Sequence, residues 1–305
     1  MNHRCSCAVL GHHLLLFYFY EDSLADILCT CKRINSGASK MNRLDELENQ
    51  SIYIIREAYC HFEKIAVLWS MGKDSTVLLA LCRKAFLGTA PFAVIHIDTG
   101  KKFKSMYAFR DMWAKNWGLN LIVARNTSEA EKKVSLADKL SCCNLLKTEA
   151  LKQVVTQHNF DAVMLAIRRD EHGIRAKERH FSPRDQDFRW NYGDQPPELW
   201  DFFESKVKKN THIRIHPLLD WIELDVWQYI KREHIPTVEL YFSKNGKRYR
   251  SIGCAPCCEP IESDARNIDE VIHELENTKI AERQGRAQDK EAAHAMQQLR
   301  ALGYM

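Results

Sequence analysis

Four short apolar segments constrain this chain more than anything else in it. IAVLW (65–69), FAVIHI (92–97), LNLIVA (119–124) and DAVMLAI (161–167) are each of strand length, and they lack the polar alternation of a half-exposed strand. Between them lie TVLLALCRKAF (76–86), KFKSMYAFRDMWAKNWG (102–118) and residues 144–157, all of helical character. Strands buried on both faces and alternating with helices imply the α/β class, with a doubly wound parallel sheet. Ligands of such sheets bind beyond the carboxyl ends of the strands.

The flanking regions are less uniform. NRLDELENQSIYIIREAY, from Asn42, reads as an amphipathic helix with Leu44, Leu47, Ile52, Ile55 and Tyr59 on its apolar face. Residues 168–212 are polar, rich in Arg, Asp and Pro, and dotted with aromatics, which suits a functional loop or an assembly surface. Another strand is expected at 213–219, a helix at 221–230, and one or two helices over 267–302, broken near Gln284–Gly285. Residues 1–40 lack this patterning and read as a disordered extension from an upstream start codon; the alternative is a small leader or anchor built on HHLLLFYFY (12–20). The expected domains are thus 1–40, an α/β domain at 41–235, and a cysteine-containing, mostly helical region at 236–305.

Composition narrows the function. Hydrophobic residues at 45% and charged residues at 28% exclude a disordered or collagen-like chain. A formal charge of +4 suits an anionic small molecule and does not call for nucleic acid. No apolar run reaches the roughly 18 residues of a membrane span. Eleven cysteines, an odd number, do not read as a secreted disulfide framework. A reducing, cytoplasmic setting is expected.

Three constellations carry chemistry. Ser70-Met71-Gly72-Lys73-Asp74-Ser75 joins the first strand to a helix. Backbone N–H groups at such a junction form an anion site, Gly72 permits close approach, Ser70 and Ser75 donate hydroxyls, and Lys73 adds a point charge. Asp74 is placed to cap the helix or orient a metal. The spacing is not that of a Walker A loop. His96 and Asp98 close the second strand, where Asp98 is placed to hold a ribose or adenine edge; the plain alternatives are a half-buried histidine and a turn cap. Arg168, Arg169, Arg175, Lys177 and Arg179 put five cations in twelve residues directly after the fourth strand. Arginine forks match phosphate and sulfate oxygens, and Asp170 among them is a candidate to bind Mg²⁺ bridging ATP phosphates. The third constellation is Cys142-Cys143 with Cys254-Ala255-Pro256-Cys257-Cys258. Four thiolates at this spacing suit a [4Fe–4S] cluster or zinc, with unrelated buried thiols as the alternative.

The loop resembles the pyrophosphate loop of the ATP-pyrophosphatase superfamily, with Met71 in place of the second glycine of the commonest form. Leu68–Ser75, His96–Gly100, Arg168–Glu171, Arg175–Arg179 and Glu282-Arg283-Gln284-Gly285-Arg286, in that order, resemble the small catalytic subunits of bacterial sulfate adenylyltransferase over residues 44–305. The resemblance implies an adenine nucleotide α-hydrolase fold and adenylyl transfer from ATP to sulfate, releasing pyrophosphate, in sulfate assimilation. It further implies Mg²⁺ and a separate GTPase subunit (subunit 1) as partner. Lys73, Asp74, Arg168, Arg169 and Asp170 are then the catalytic candidates, and Ser70, Gly72, Ser75, His96, Asp98, Arg175 and Arg179 the nucleotide-binding ones. The Glu282–Arg286 motif is expected to fold over the nucleotide or meet the partner. The cysteine set instead resembles the cluster ligands of assimilatory adenylylsulfate reductases, which makes Cys142, Cys143, Cys254 and Cys257 the metal candidates. The competing reading is such a reductase. It is disfavoured because no cysteine follows Cys258, where those enzymes place their nucleophile. A tRNA thiolase and a non-catalytic nucleotide sensor are weaker alternatives.

Overall fold

The computed structural model describes residues 8–10, 13–15, 41–128, 135, 138–173, 175–200, 202–203, 211–278, 282–285 and 303. Contacts divide the chain into Met1–Asn42 and Arg43–Met305. In the first unit, strands β1 (Ala8–Leu10) and β2 (His13–Leu15) pair antiparallel. The rest of residues 1–40, and the expectation of disorder there, lie outside the described residues, as do Arg286 and most of the expected helix beyond Asn277.

The second unit is built on a six-stranded sheet of order β5-β4-β3-β6-β8-β7. Its strands are β3 (Ile65–Leu68), β4 (Ala93–Ile97), β5 (Leu121–Ala124), β6 (Ala162–Met164), β7 (Phe181–Arg184) and β8 (His212–Ile215). All pairings are parallel except β7 with β8. The strand order reverses at β3, which has β4 on one side and β6 on the other. A crevice opens there beyond the strand ends.

Double winding follows from residue alternation. Ile65 and Val67 of β3 enter one core with Ile54, Ile55, Leu78, Met106 and Trp227, while Ala66 and Leu68 enter the other with Leu151, Val154 and Val155. Helices α1 (Arg43–His61), α2 (Lys73–Ala85), α3 (Lys104–Asn116) and α6 (Glu223–Arg232) supply the first core. Helix α5 (Glu149–His158) covers the opposite face, reached through the short α4 (Lys139–Cys143) and a π-helical turn at Asn144–Thr148. A β-ribbon, β9 (Lys247–Arg248) with β10 (Ile261–Glu262), and α7 (Ile268–Asn277) complete the unit. Among the described residues no helix is long and apolar enough to cross a membrane.

Two local outcomes differ from the pattern reading. Strand β7 lies inside the stretch expected to be loop. Its sequence, FSPR, carries a proline, which sheets tolerate at an edge, and β7 is the edge. The buried stripe of α1 is Leu47, Ser51, Ile54, Ile55 and Ala58, whereas Tyr59 is exposed. Ser51 takes an interior place because its hydroxyl donates to the Pro217 carbonyl (2.8 Å) and accepts from the Trp221 indole (3.0 Å). Arg43 at the start of α1 grips Asp225 with Nε (2.9 Å) and Nη2 (2.8 Å). Asp225 also accepts the Ile222 N–H (2.9 Å), which caps α6 and ties it to α1.

Replacing Ser51 by Ala leaves the buried Trp221 N–H without its acceptor. The expected cost is about 1–3 kcal/mol by urea unfolding, the penalty for an unsatisfied buried polar group. A loss below about 0.5 kcal/mol would contradict this account of α1.

Candidate functional site

The crevice beyond the strand ends is lined by Ser70, Gly72, Lys73, Asp74 and Ser75 of the β3–α2 loop and by Ile95 and Ile97 of β4. Leu165–Ile167 follow β6 into its wall, with Lys102, Lys147, Glu171 and Arg175. Tyr241, Ser251–Cys254 and Arg283 close it from the C-terminal side. A mixed apolar and cationic cleft at a sheet's switch point suits a ligand with a flat apolar body and an anionic tail.

The loop is held by its own side chains. The Ser70 N–H donates to Ser75 Oγ (3.2 Å), and the two serine hydroxyls are 3.0 Å apart. Ser75 and Thr76 hydroxyls return to the Gly72 carbonyl (3.1 and 2.9 Å), and Thr76 Oγ1 accepts the Trp69 indole N–H (3.1 Å). Tyr241 accepts the Lys73 N–H (2.8 Å) from 168 positions away. A Cβ on Gly72 would sit 3.3 Å from Ser70 Oγ and 3.5 Å from the Tyr241 hydroxyl, so glycine here lets the loop pack closely without moving the Ser70 side chain. The left-handed turn falls instead on Met71, with φ 63°. Such a conformation costs a non-glycine residue about 1 kcal/mol or more, and the burial of the Met71 side chain in the first core offsets it.

Behind the loop, charged groups interlock. Arg168, fully buried at the exit of β6, donates Nε to Asp170 (2.9 Å) and its two Nη groups to Asp74 and Glu282. Burial works against this charge, but Glu282, Glu171, Asp170 and Glu223 raise its proton affinity above that of a free guanidinium. The Lys73 ammonium meets Asp74 (3.2 Å), Glu282 and, at 4.0 Å, Glu223. Glu171 pairs with Arg175 and with Arg283 (3.0 Å). Burial would raise the Glu171 carboxyl, yet Arg175, Arg283, Arg168 and Lys73 hold it below the ordinary carboxylate range. Glu223 goes the other way: burial and neighbouring Glu282 push it up, against the pull of Lys73 and Arg250.

The sequence-derived candidates divide by location. Ser70, Gly72, Lys73, Asp74, Ser75, Arg175 and Cys254 line the cleft. Arg168 stands behind it, joined to Asp74 and Glu282. Arg169 pairs with Asp220, outside the lining. Asp170 spends one oxygen on Arg168 and the other on the Glu223 N–H (2.8 Å), as the cap of α6. Arg179 lies off the lining, its carbonyl accepting from His216 Nδ1 (2.7 Å). His96 is fully buried and faces away from the cleft, its Nδ1–H donating to the Trp69 carbonyl (3.1 Å). Burial, helped by nearby Lys102, lowers its pKa to about 3. Asp98 accepts from the Gly100 N–H (2.8 Å) and the Tyr107 hydroxyl (2.7 Å), which keep its carboxyl low against partial burial.

The four candidate cysteines come from two places: Cys142 and Cys143 end α4, and Cys254 and Cys257 bracket a short 3₁₀ turn. Burial lifts the Cys142 thiol to about 11, with Cys143, Cys254 and Cys257 adding to the rise. Cys254 Sγ lies 3.2 Å from Thr99 Oγ1. Among the described residues, however, no three His, Cys, Asp or Glu side chains are gathered closely enough to hold a metal ion. The carboxylates expected to meet Mg²⁺, Asp74 and Asp170, are likewise turned into ion pairs.

Glu171, Glu223, Lys102, Lys147 and Tyr241 were not singled out from the sequence. Glu171 lies inside the Arg-rich motif, where one carboxylate among arginines carries no distinguishing signal. Glu223 and Tyr241 lie in stretches without motif character, and only the tertiary fold brings them to the loop.

The family model of the phosphoadenosine phosphosulfate reductase domain matches residues 64–260. Similar curated proteins are named sulfate adenylyltransferase subunit 2. That of Aeromonas salmonicida (strain A449) is 41% identical over 305 residues, covering 89% of this chain and 99% of its own length. That of Marinomonas sp. (strain MWYL1) is 40% identical over 297 residues, covering 87% and 99%. Among solved structures, FMN adenylyltransferase of Candida glabrata in complex with ATP superposes with a TM-score of 0.51 at 18% identity, over 78% of this chain and 73% of that one. At that identity the likeness is one of fold.

The buried His96 gives a pH signature. Its pKa is depressed from 6.5 unfolded to about 3 folded. Its contribution is therefore complete above pH 6.5 and is lost as pH falls toward 3. In His96→Gln, which binds no proton, the stability lost between pH 7 and pH 5 should shrink by about 1–2 kcal/mol. Equal losses in both proteins, measured by urea unfolding, would show that His96 is not held neutral.

Proposed function

The chain belongs to the phosphoadenosine phosphosulfate reductase-domain family and, within it, to the sulfate adenylyltransferase subunit 2 proteins, and from that premise we propose that its cleft transfers the adenylyl group of ATP to sulfate. The supporting observation is a loop at the sheet's switch point, with free approach at Gly72, backed by a buried lysine and a buried arginine. A sulfate oxygen attacks the α-phosphorus, the bond to the bridging oxygen breaks, and pyrophosphate leaves. Oxidation states do not change, so the reaction needs no redox group, and direct attack by sulfate needs no protein nucleophile.

The chain's own residues then act by position and charge. The positive N-terminal end of α2 and the Ser70 and Ser75 hydroxyls bind the β- and γ-phosphates. Lys73 neutralises charge as it builds on the departing pyrophosphate. Ile95, Ile97 and Leu165 give the adenine a dry wall, and Arg175 and Lys147, which also line the cleft, supply cations for sulfate. Mg²⁺ carried in with ATP would spread the phosphate charge. Formation of adenylyl sulfate is strongly uphill. A separate GTPase subunit supplies the drive, in keeping with the name subunit 2 carried by the relatives. A [4Fe–4S] cluster or zinc on Cys142, Cys143, Cys254 and Cys257 would be a structural group beside the cleft. Metal analysis of anaerobically purified protein, with Cys257→Ser for comparison, tests that.

The direct test is sulfate-dependent pyrophosphate release from ATP by the full chain, mixed with its GTPase partner and GTP. Lys73→Ala should lower the rate by about 10²–10³, as the loss of one preorganised charge-stabilising group does, measured where circular dichroism shows the variant, which leaves Asp74 and Glu282 short of a buried partner, still folded. Release independent of sulfate, or equal rates in the variant, would overturn the proposal.

A further inference from the structure

The two cations that back the phosphate loop are closed by one carboxylate. Lys73 Nζ and an Arg168 Nη both donate to Glu282, whose side chain is only 6% exposed. Glu282 opens a short 3₁₀ turn, Glu282–Gly285, and the next residue, Arg283, lines the cleft and pairs with Glu171. The side-chain nitrogens of Arg168 are shared among Asp170, Asp74 and Glu282. Asp74 belongs to the loop itself, and Asp170 lies two residues from Arg168 and caps α6. Glu282, 114 positions along the chain, belongs neither to the loop nor to the cap of α6. A phosphate oxygen that is to meet Arg168, or to meet Lys73 fully, must take the place of a carboxylate oxygen, and Glu282 is the one whose removal leaves both loop and helix cap intact.

We propose that Glu282 is an internal anion holding the two cations behind the phosphate loop, a specificity-determining residue displaced by a ligand carrying several phosphate charges. This rests on the reading of the cleft as the site of ATP's phosphates. A carboxylate buried against two cations is a strong competitor, because both of its oxygens are satisfied and no water need be stripped on closure. A compact ion such as orthophosphate, with its charge on one phosphorus centre, cannot reach both cations and the loop at once and does not repay its removal. Pyrophosphate, or the tail of a nucleoside triphosphate, spans both cations and the loop N–H groups and does. Glu282 thus keeps both cations paired between turnovers and confines the subsite to polyphosphates.

The experiment is calorimetric titration of the full-length protein with inorganic pyrophosphate and, separately, with orthophosphate. In Glu282→Gln, which keeps the shape and removes the charge, pyrophosphate affinity should rise about tenfold or more, and orthophosphate binding should become measurable. In the unmodified protein, hydrogen exchange should show the 282–285 peptide losing protection when pyrophosphate is added; this holds even if the variant folds poorly. Pyrophosphate binding that is unchanged or weaker in Glu282→Gln, or a 282–285 peptide that gains protection, would overturn the displacement and make Glu282 a fixed support of Lys73 and Arg168. Absence of pyrophosphate binding to either protein would instead overturn the phosphate reading of the cleft, and this inference with it.

Discussion

The architecture around the cleft depends on keeping one guanidinium charged without water. Arg168 is fully buried, and an isolated charge there would be prohibitive. It is tolerated because three carboxylates from three parts of the chain converge on it: Asp74 from the loop, Asp170 from the strand exit, and Glu282 from the C-terminal segment. Each partner has a second task. Asp74 also meets Lys73, Asp170 caps α6 through the Glu223 N–H, and Glu282 shares Lys73. The ion pairs therefore fix the relative positions of loop, helix and tail more than they add net stability, since buried pairs give back most of their attraction in desolvation.

That arrangement sits where the sheet makes it useful. The reversal of strand order at β3 opens the crevice, and the β3–α2 loop places the N-terminus of α2 at its floor. The positive end of that helix and the two cations behind it act on the same few ångströms. Small residues and hydroxyls keep the loop close to its ligand. Met71, carrying the left-handed turn with its side chain in the core, anchors it from below.

The strands of the sheet centre were legible because burial on both faces leaves no polar alternation: β3, β4, β5 and β6 each lie within an apolar run read from the sequence. Edge strand β7 was not, since Pro183 and Arg184 carry no strand signal and the pairing with β8 is decided by the tertiary fold. The loop and the arginine run were visible as motifs. Their partners were not: Tyr241 reaches the Lys73 N–H across 168 positions, and nothing around it in sequence marks it. Sequence also could not tell a ligand-facing polar residue from one facing inward. His96 and Ile97 are neighbours on β4, but strand alternation turns only the isoleucine into the cleft. Asp170 had the look of a metal ligand, and a helix N-terminus 53 residues on claims one of its oxygens.

The claim at the centre of this account is that sulfate, not water or a protein group, attacks the α-phosphorus of ATP held on the loop at residues 70–75. The most direct test is exchange of radiolabelled pyrophosphate into ATP, with the GTPase partner present and sulfate supplied or withheld. The account expects exchange only when sulfate is supplied. Exchange without sulfate would place the adenylyl group on something other than sulfate, and no exchange in either case would contradict adenylyl transfer in this cleft.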